Sequence, residues 1–170
     1  MQRKITSIGS GFSGSRWIRK TSFADETFDL VINRHGAFNE KEIWRVLKPK
    51  GIFITQQVGA ENDRELVELL LNDVPPLPFP KQYLHIVQQA FQEVGFTTLR
   101  GEEVYGSIKF WDVGALVWFA HIIEWEFPDF DVKECLANLY RAQELLERNG
   151  VIAGRTHRFL YVAQKLFLEG

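Results

Sequence analysis

Two short polar runs stand at the ends of two apolar ones. FDLVI leads into Asn33-Arg34-His35, and IFIT leads into Gln56-Gln57. Both apolar runs are continuous and rich in β-branched and aromatic residues, which reads as buried parallel strand. In open α/β sheets ligands bind beyond the carboxyl ends of the strands. Amides and imidazoles are costly to bury there unless a partner or a ligand bonds them. Asn33, His35 and Gln56 are therefore candidates for contacting a cofactor or substrate, although such residues also cap helices and tie loops. His35 is the candidate general base, since an imidazole titrates near neutral pH. No metal site is expected: His35, His85, His121 and His157 show no H-x-x-x-H spacing, and Cys135 is the single cysteine.

A further candidate lies near the N-terminus, where Gly9-Ser10-Gly11-Phe12-Ser13-Gly14 matches G-x-G-x-x-G after an apolar pair. Glycines at a strand-to-helix turn let backbone N–H groups approach a ligand closely. Two readings stay open: a degenerate glycine loop, or an incidental N-terminal segment. A dinucleotide-type ribose acid would be needed about 20 residues on, at the end of a strand. Asp29 has that distance but begins its strand, so its carboxylate belongs to the other edge of the sheet.

The elements that must position these residues follow from pattern. Residues 5–8 form a short candidate strand, and 28–33 and 52–56 are buried strands. Asn39 or Glu40 caps a helix through Leu47, closed by Lys48-Pro49-Lys50-Gly51. Asn62 or Asp63 caps a helix through Leu71, with Leu66, Val67, Leu70 and Leu71 inward. Residues 73–80, DVPPLPFP, are a rigid connector, since proline excludes helix and central strand. Residues 82–94 read as helix ending at Gly95, 96–99 as strand with 102–110 continuing or pairing with it, 112–124 as a very apolar helix, and 132–148 as an amphipathic one. Val132, Cys135, Leu136 and Leu139 mark the inward face of that last helix. FLYVA, residues 159–163, is the last strand. Trp111, Trp118, Phe119, Trp125 and Phe127 read as hydrophobic core, or as aromatics able to cradle a cation. His121 reads as a bonded core histidine, and Glu126, Asp129 and Asp131 as a solvated edge. Alternating strands and helices give an α/β layered sheet.

Residues 28–59 resemble the middle of a class I S-adenosylmethionine (SAM)-dependent methyltransferase. The usual wording there is FDxV, then E-x-x-R-V-L-K-P-G-G, then a hydrophobic strand; this chain reads FDLV, EIWRVLKPKG and IFIT. SFADETFD, residues 22–29, is similar to the adenine-side loop of that family, and EVGF, residues 93–96, to its helix-to-strand step. INRH, ITQQVG and DVGALV resemble a methyltransferase type 11-like subgroup, in which the residue after the histidine is usually glutamate; here it is Gly36. The resemblance implies a Rossmann-like sheet, mostly parallel with an antiparallel last strand, and methyl transfer from SAM to a small molecule. It makes Gly9, Gly11, Asn33, His35 and Gln56 the expected cofactor contacts, and an aromatic segment at the position of residues 111–127 a cap over the site.

The same resemblance implies that the sheet is truncated. Residues 15–27 alone separate the glycine turn from Phe28, where the family has two more strands and a ribose-binding acid. Residues 23–170 are then the methyltransferase-like domain, and 1–22 an atypical segment, disordered or swapped. Two functions follow: a SAM-dependent enzyme impaired by truncation, or an inactive relic or partner-dependent subunit. A sheet that lost outer strands would expose a central strand as its edge, which predicts a homodimer through that edge. The formal charge of −2 argues against a nucleic-acid surface. The most apolar window, residues 113–123, is far short of the ~20 residues of a membrane span, so a cytoplasmic protein is expected.

Overall fold

The sequence alternates short β-branched runs with capped amphipathic segments, and these become the strands and helices of the computed structural model, which describes residues 4–8 and 21–166. The order is β1 (Ile5–Ile8), β2 (Phe28–Arg34), α1 (Glu40–Val46), β3 (Leu47–Val58), α2 (Arg64–Leu70), α3 (Leu84–Glu93), β4 (Phe96–Phe110), α4 (Val113–Ile122), α5 (Leu136–Asn149) and β5 (Ile152–Lys165). The described strands form one sheet in the order β1-β2-β3-β5-β4. β1 runs parallel to β2, with Ile8 beside Asn33, and β2 parallel to β3, with Asn33 beside Thr55. β5 runs antiparallel to β3, with Tyr161 beside Thr55. The expected antiparallel last strand is therefore present. β1 adjoins β2 directly, joined to it by residues 9–27, enough for a parallel crossover.

The chain divides into two compact units. One comprises Met1–Gly59, Lys81–Glu103 and Arg158–Gly170; the other comprises Ala60–Pro80 and Val104–His157. In the first, alternate residues of β2, β3 and β5 point to one face. Val31, Phe53, Phe159, Tyr161 and Ala163 build that face and are buried beneath Ile43 and Val46 of α1 and Leu84, Val87 and Phe91 of α3. Phe53 and Phe91 stack at 5.0 Å, and Tyr161 meets Phe91 edge-on at 5.3 Å. α1 starts where Asn39 Oδ1 accepts from the Glu42 N–H at 2.9 Å. It is tied to the chain ahead of β2 through Arg45, which pairs with Glu42 at 2.6 Å and Asp25 at 2.5 Å and donates to the Phe23 carbonyl at 2.8 Å. Thr21 donates to Glu42 from both its N–H and its hydroxyl, each at 2.7 Å.

The α1–β3 junction differs from the expectation. The helix ends at Val46, and pairing with β2 begins at Leu47, opposite Phe28. Register is lost across 48–51 and resumes at Ile52 opposite Leu30. Residues 48–51 are thus a looped interruption within the strand, not a turn after a longer helix. Lys50 there has φ 63, in the left-handed region that glycine enters at least cost. Lys165, buried in the same unit, donates to the Leu47 carbonyl at 2.7 Å and lies 3.9 Å over the Trp44 ring. It gives the junction a fixed donor.

In the second unit, α2, α4 and α5 bury Leu66, Val67, Leu70, Leu116, Ala120, Leu139 and Ala142 together. Asn138, on α5, donates to the Leu70 carbonyl at 2.9 Å and fixes the α2–α5 contact. Cys135 is buried, as expected of a small core residue, but α5 begins only at Leu136. Val132 and Leu136 are exposed. Val132 lies ahead of the helix, where Asp131 bonds the Lys133 and Glu134 N–H groups in a separate turn, and Leu136, in the first turn of α5, faces outward instead of inward.

Candidate active site at the strand ends

β2 and β3 end side by side, and their side chains alternate, so their terminal residues divide between two faces. Asn33, Thr55 and Gln57 continue the buried face beyond Val31 and Phe53. Arg34 and Gln56 are register partners on the other face. Asn33 and Gln56, expected to line one site, are therefore separated by the sheet. Gln57 is the residue that joins Asn33. Strand alternation was the signal for it, since Gln57 has the parity of the buried Phe53 and Gln56 does not.

These three buried polar residues form one network. Gln57 Nε2 donates to Asn33 Oδ1 at 2.6 Å and Thr55 Oγ1 at 2.7 Å, and lies 3.1 Å from the Gly36 carbonyl. The Thr55 hydroxyl also donates to Asn33 Oδ1, at 3.1 Å. Donors on the Oδ1 side fix which way the Asn33 amide points. Its other end, Nδ2, is buried with no hydrogen-bond partner. Leaving such a donor unpaired costs on the order of 1–3 kcal/mol, which makes Asn33 Nδ2 a candidate donor to a ligand.

His35 follows two residues on. Its backbone N–H donates to the Gln56 carbonyl at 3.0 Å, its φ is 53, and its Nδ1 is buried without a partner. Burial, then the charges of Arg34 and Arg158, hold the imidazole below its ordinary pKa, so it is neutral at pH 7. A left-handed non-glycine residue is strained, and such strain collects at functional sites. The arrangement offers an amide donor and a neutral imidazole to a polar ligand at the end of β2.

Gly9 and Gly11 lie outside the described residues; the chain leaves β1 at Ile8, beside Asn33. Most of the 1–22 segment expected to be disordered or swapped also lies outside them, while Ile5–Ile8 pair with β2 of the same chain. Asp29 sits at the opposite end of β2, where its carboxylate accepts from the Lys4 N–H at 3.0 Å and Lys48 Nζ at 2.8 Å. It is a structural tie. No described residue at the ends of β1 and β2 is an acid that would hold a ribose. Asn33 and His35 fit the polar groups of SAM; its ribose has no matching carboxylate there.

Other expectations are corrected. Trp111, Trp118 and Trp125 are exposed instead of core. His121 is exposed too, edge-on to Phe130 at 5.2 Å; its own helix turns it outward, since Leu116 and Ala120 take the inward positions. Glu126 is buried, not solvated, because the turn after α4 carries it inward beside Phe127. Buried His157 is a tie within the second unit: its Nδ1 accepts from the Glu61 N–H at 3.2 Å, and Tyr105 stacks on its ring at 4.4 Å. Among the described residues no group of three metal-ligating side chains forms, and no helix is long and apolar enough to cross a membrane.

No family model matches the chain, and no curated protein matches it. Solved structures do. A candidate methyltransferase from Bacillus halodurans aligns at TM-score 0.53 and 16% identity, over 87% of this chain and 68% of that one. The YcgJ protein of Bacillus subtilis aligns at TM-score 0.49 and 19% identity, over 87% and 68%. A candidate sarcosine dimethylglycine methyltransferase from Galdieria sulphuraria aligns at 0.39 and 19%, over 85% of this chain and 56% of that one. This chain thus spans between about half and two thirds of these proteins. The first likeness, together with the parallel β1–β3 and antiparallel β5, carries the fold: the chain is built on a Rossmann-like sheet like that of the Bacillus halodurans structure.

Proposed function

We propose that this chain transfers a methyl group from SAM to a small molecule. The observation that carries the reading is the pair of buried, unpartnered side-chain atoms at the end of β2, Asn33 Nδ2 and, two residues on, His35 Nδ1. When bound, SAM supplies an electrophilic methyl group on a sulfonium. Asn33 Nδ2 donates to a ligand oxygen or ring nitrogen, with Thr55 and Gln57 holding the amide in that orientation. Neutral His35 accepts the proton released by the methyl acceptor. Where the acceptor is already a nucleophile, positioning alone suffices. Gly9 and Gly11 would bring backbone N–H groups to the cofactor, and Gln56 with Arg34 would act from the other face. The reading places residues 23–170 as the methyltransferase-like domain, preceded by 1–22, in a cytoplasmic protein. It keeps a homodimer through the sheet edge, now β1, as its assembly. Titration calorimetry with SAM and S-adenosylhomocysteine tests it. Saturable binding is expected, weakened roughly tenfold in Asn33→Ala by loss of one buried hydrogen bond. No heat at millimolar ligand, with circular dichroism showing a folded chain, would sink it.

A second reading, an inactive or partner-dependent methyltransferase-like subunit, is favoured by the opposite face of the sheet. Leu30, Ile32, Ile52, Ile54, Leu160 and Val162 stay half-buried there. Apolar strands of this kind are ordinarily covered on both faces. Saturable SAM binding by the isolated chain counts against this reading.

A further inference from the structure

The two ends of the sheet in the first unit arrange their charges differently. Ahead of and at the start of β2, each acid faces a lysine: Glu26 meets Lys165 at 3.5 Å, and Asp29 meets Lys48 at 2.8 Å. At the other end, Arg34 and Gln56 are register partners on β2 and β3. Leu160 of β5 pairs with Gln56 in turn, and Arg158 lies two residues along β5, opposite Val58. Arg34, Gln56 and Arg158 share the parity that points away from α1 and α3. Strand spacing sets the Arg34 and Arg158 Cα atoms roughly 12 Å apart, close enough for two long side chains to act on one ligand. No Asp or Glu occurs in residues 31–39, 52–59 or 158–164. Arg34 makes no hydrogen bond or ion pair with any described residue, while Arg158 has further interactions of its own. The chain turns at His35, whose φ is 53 and whose Nδ1 is the unpartnered atom described above. Burial first, and then both arginines, act on that ring.

We infer that Arg34, with Gln56 beside it, binds the anionic group of the molecule to be methylated, so that the acceptor is a small carboxylic acid or phosphate ester. The inference rests on the methyl-transfer reading above and names its substrate class. A guanidinium grips carboxylate and phosphate alike through paired N–H donors, and the Gln56 amide adds a neutral donor. Arg158 adds positive charge to the same face. With no acid in these strand ends, a cationic acceptor is disfavoured. Arg34 then holds the acid group, while His35 Nδ1, one residue on, is left for the group that gives up its proton. The carboxylate of SAM is the competing source of the same chemistry. Gly9 and Gly11 are the contacts to SAM in this reading, which leaves the Arg34 side to the acceptor.

Inorganic phosphate and acetate are the probes, titrated into the full chain without SAM, at neutral pH and constant ionic strength. The readout is the His35 ring signal in NMR, assigned by its loss in His35→Gln. Both anions should shift it saturably, and Arg34→Gln should weaken the binding roughly tenfold or more. Arg34→Met, which keeps the apolar stem, serves should Arg34→Gln fail to fold. No saturable shift at tens of millimolar anion overturns the inference, and so does a variant that responds like the parent. Saturating S-adenosylhomocysteine separates the two sources. Phosphate that still binds occupies the acceptor's place; phosphate that is displaced marks the cofactor's carboxylate seat and overturns the inference. A chain that binds phosphate through Arg34 but no S-adenosylhomocysteine keeps the anion site and loses the methyl-transfer reading, so the two fail separately.

Discussion

The two faces of the sheet in the first unit are made from the same strands and share almost nothing else. Val31, Phe53, Tyr161 and Ala163 are closed off under α1 and α3, and their face ends in the bonded polar trio Asn33, Thr55 and Gln57. Leu30, Ile32, Ile54, Leu160 and Val162 point the other way, stay half-buried, and end in Arg34 and Gln56. The difference teaches that hydrophobicity along a strand does not say which face is closed. The polar residues at its end inherit whichever environment their parity assigns.

The largest effect should come from cutting one side chain on each face. Phe53→Ala is expected to cost about 3–5 kcal/mol in urea unfolding, from lost transfer energy plus a cavity. Ile54→Ala, one residue along, should cost about 1–2 kcal/mol because its site can refill with water. Equal losses would erase the contrast.

Acid should next reveal how the closed face is held. Glu42, on α1, is pulled to a pKa of about 2 from an ordinary 4.5, chiefly by its bond to Arg45 and then by Thr21. A depressed carboxylate pKa stabilises the fold above pH 4.5, and that stability drains away as pH falls from 4.5 through 2. About 2 kcal/mol is expected to be lost across that window, read from urea midpoints. Glu42→Gln should flatten the profile; an unchanged profile would show that α1 is not held through this group.

A smaller contrast separates the neighbouring amides. Gln57→Ala should cost about 1–2 kcal/mol, because Asn33 Oδ1 and the Gly36 carbonyl lose a donor. Gln56→Ala should stay within about 0.5 kcal/mol. The order reversed would mean that the working face is the open one.

The smallest signal is the titration of His35. Its pKa in the folded chain lies below 6.5, so its contribution to stability is full above pH 6.5 and is lost as pH falls. Proton NMR should place the midpoint of its ring titration below pH 6.5. A titration above that value would mean the ring meets a carboxylate instead of Arg34 and Arg158.

What was legible in the sequence was what depends on local chemistry. The strands at Phe28 and Ile52, the Asn39 cap, the stop at Gly95 and the antiparallel direction implied by family wording all stand in the structure. Asn33 and His35 were legible as strand-end residues. What stayed hidden depends on which side of an element meets which neighbour. Gln57 has the parity of the buried Phe53 and Gln56 does not, a distinction the adjacent pair of amides does not itself carry. The exposure of the tryptophans around α4 is not legible because a helix with no charge gives periodicity nothing to measure. Strand pairing resumed after the 48–51 interruption for a reason local propensity does not contain: the register opposite β2.

Cys135 has one more consequence. It is the sole thiol of the chain, it is buried, and it belongs to the second unit, so the first unit has none. A thiol-specific reagent can reach it only when the helices around it open. The labelling rate is therefore a clock for opening of that unit alone, read in water without denaturant. Set beside the global unfolding rate, it tells whether the two units breathe together. If the labelling rate exceeds the unfolding rate, the α4–α5 region opens while the sheet that holds Asn33 and His35 stays shut.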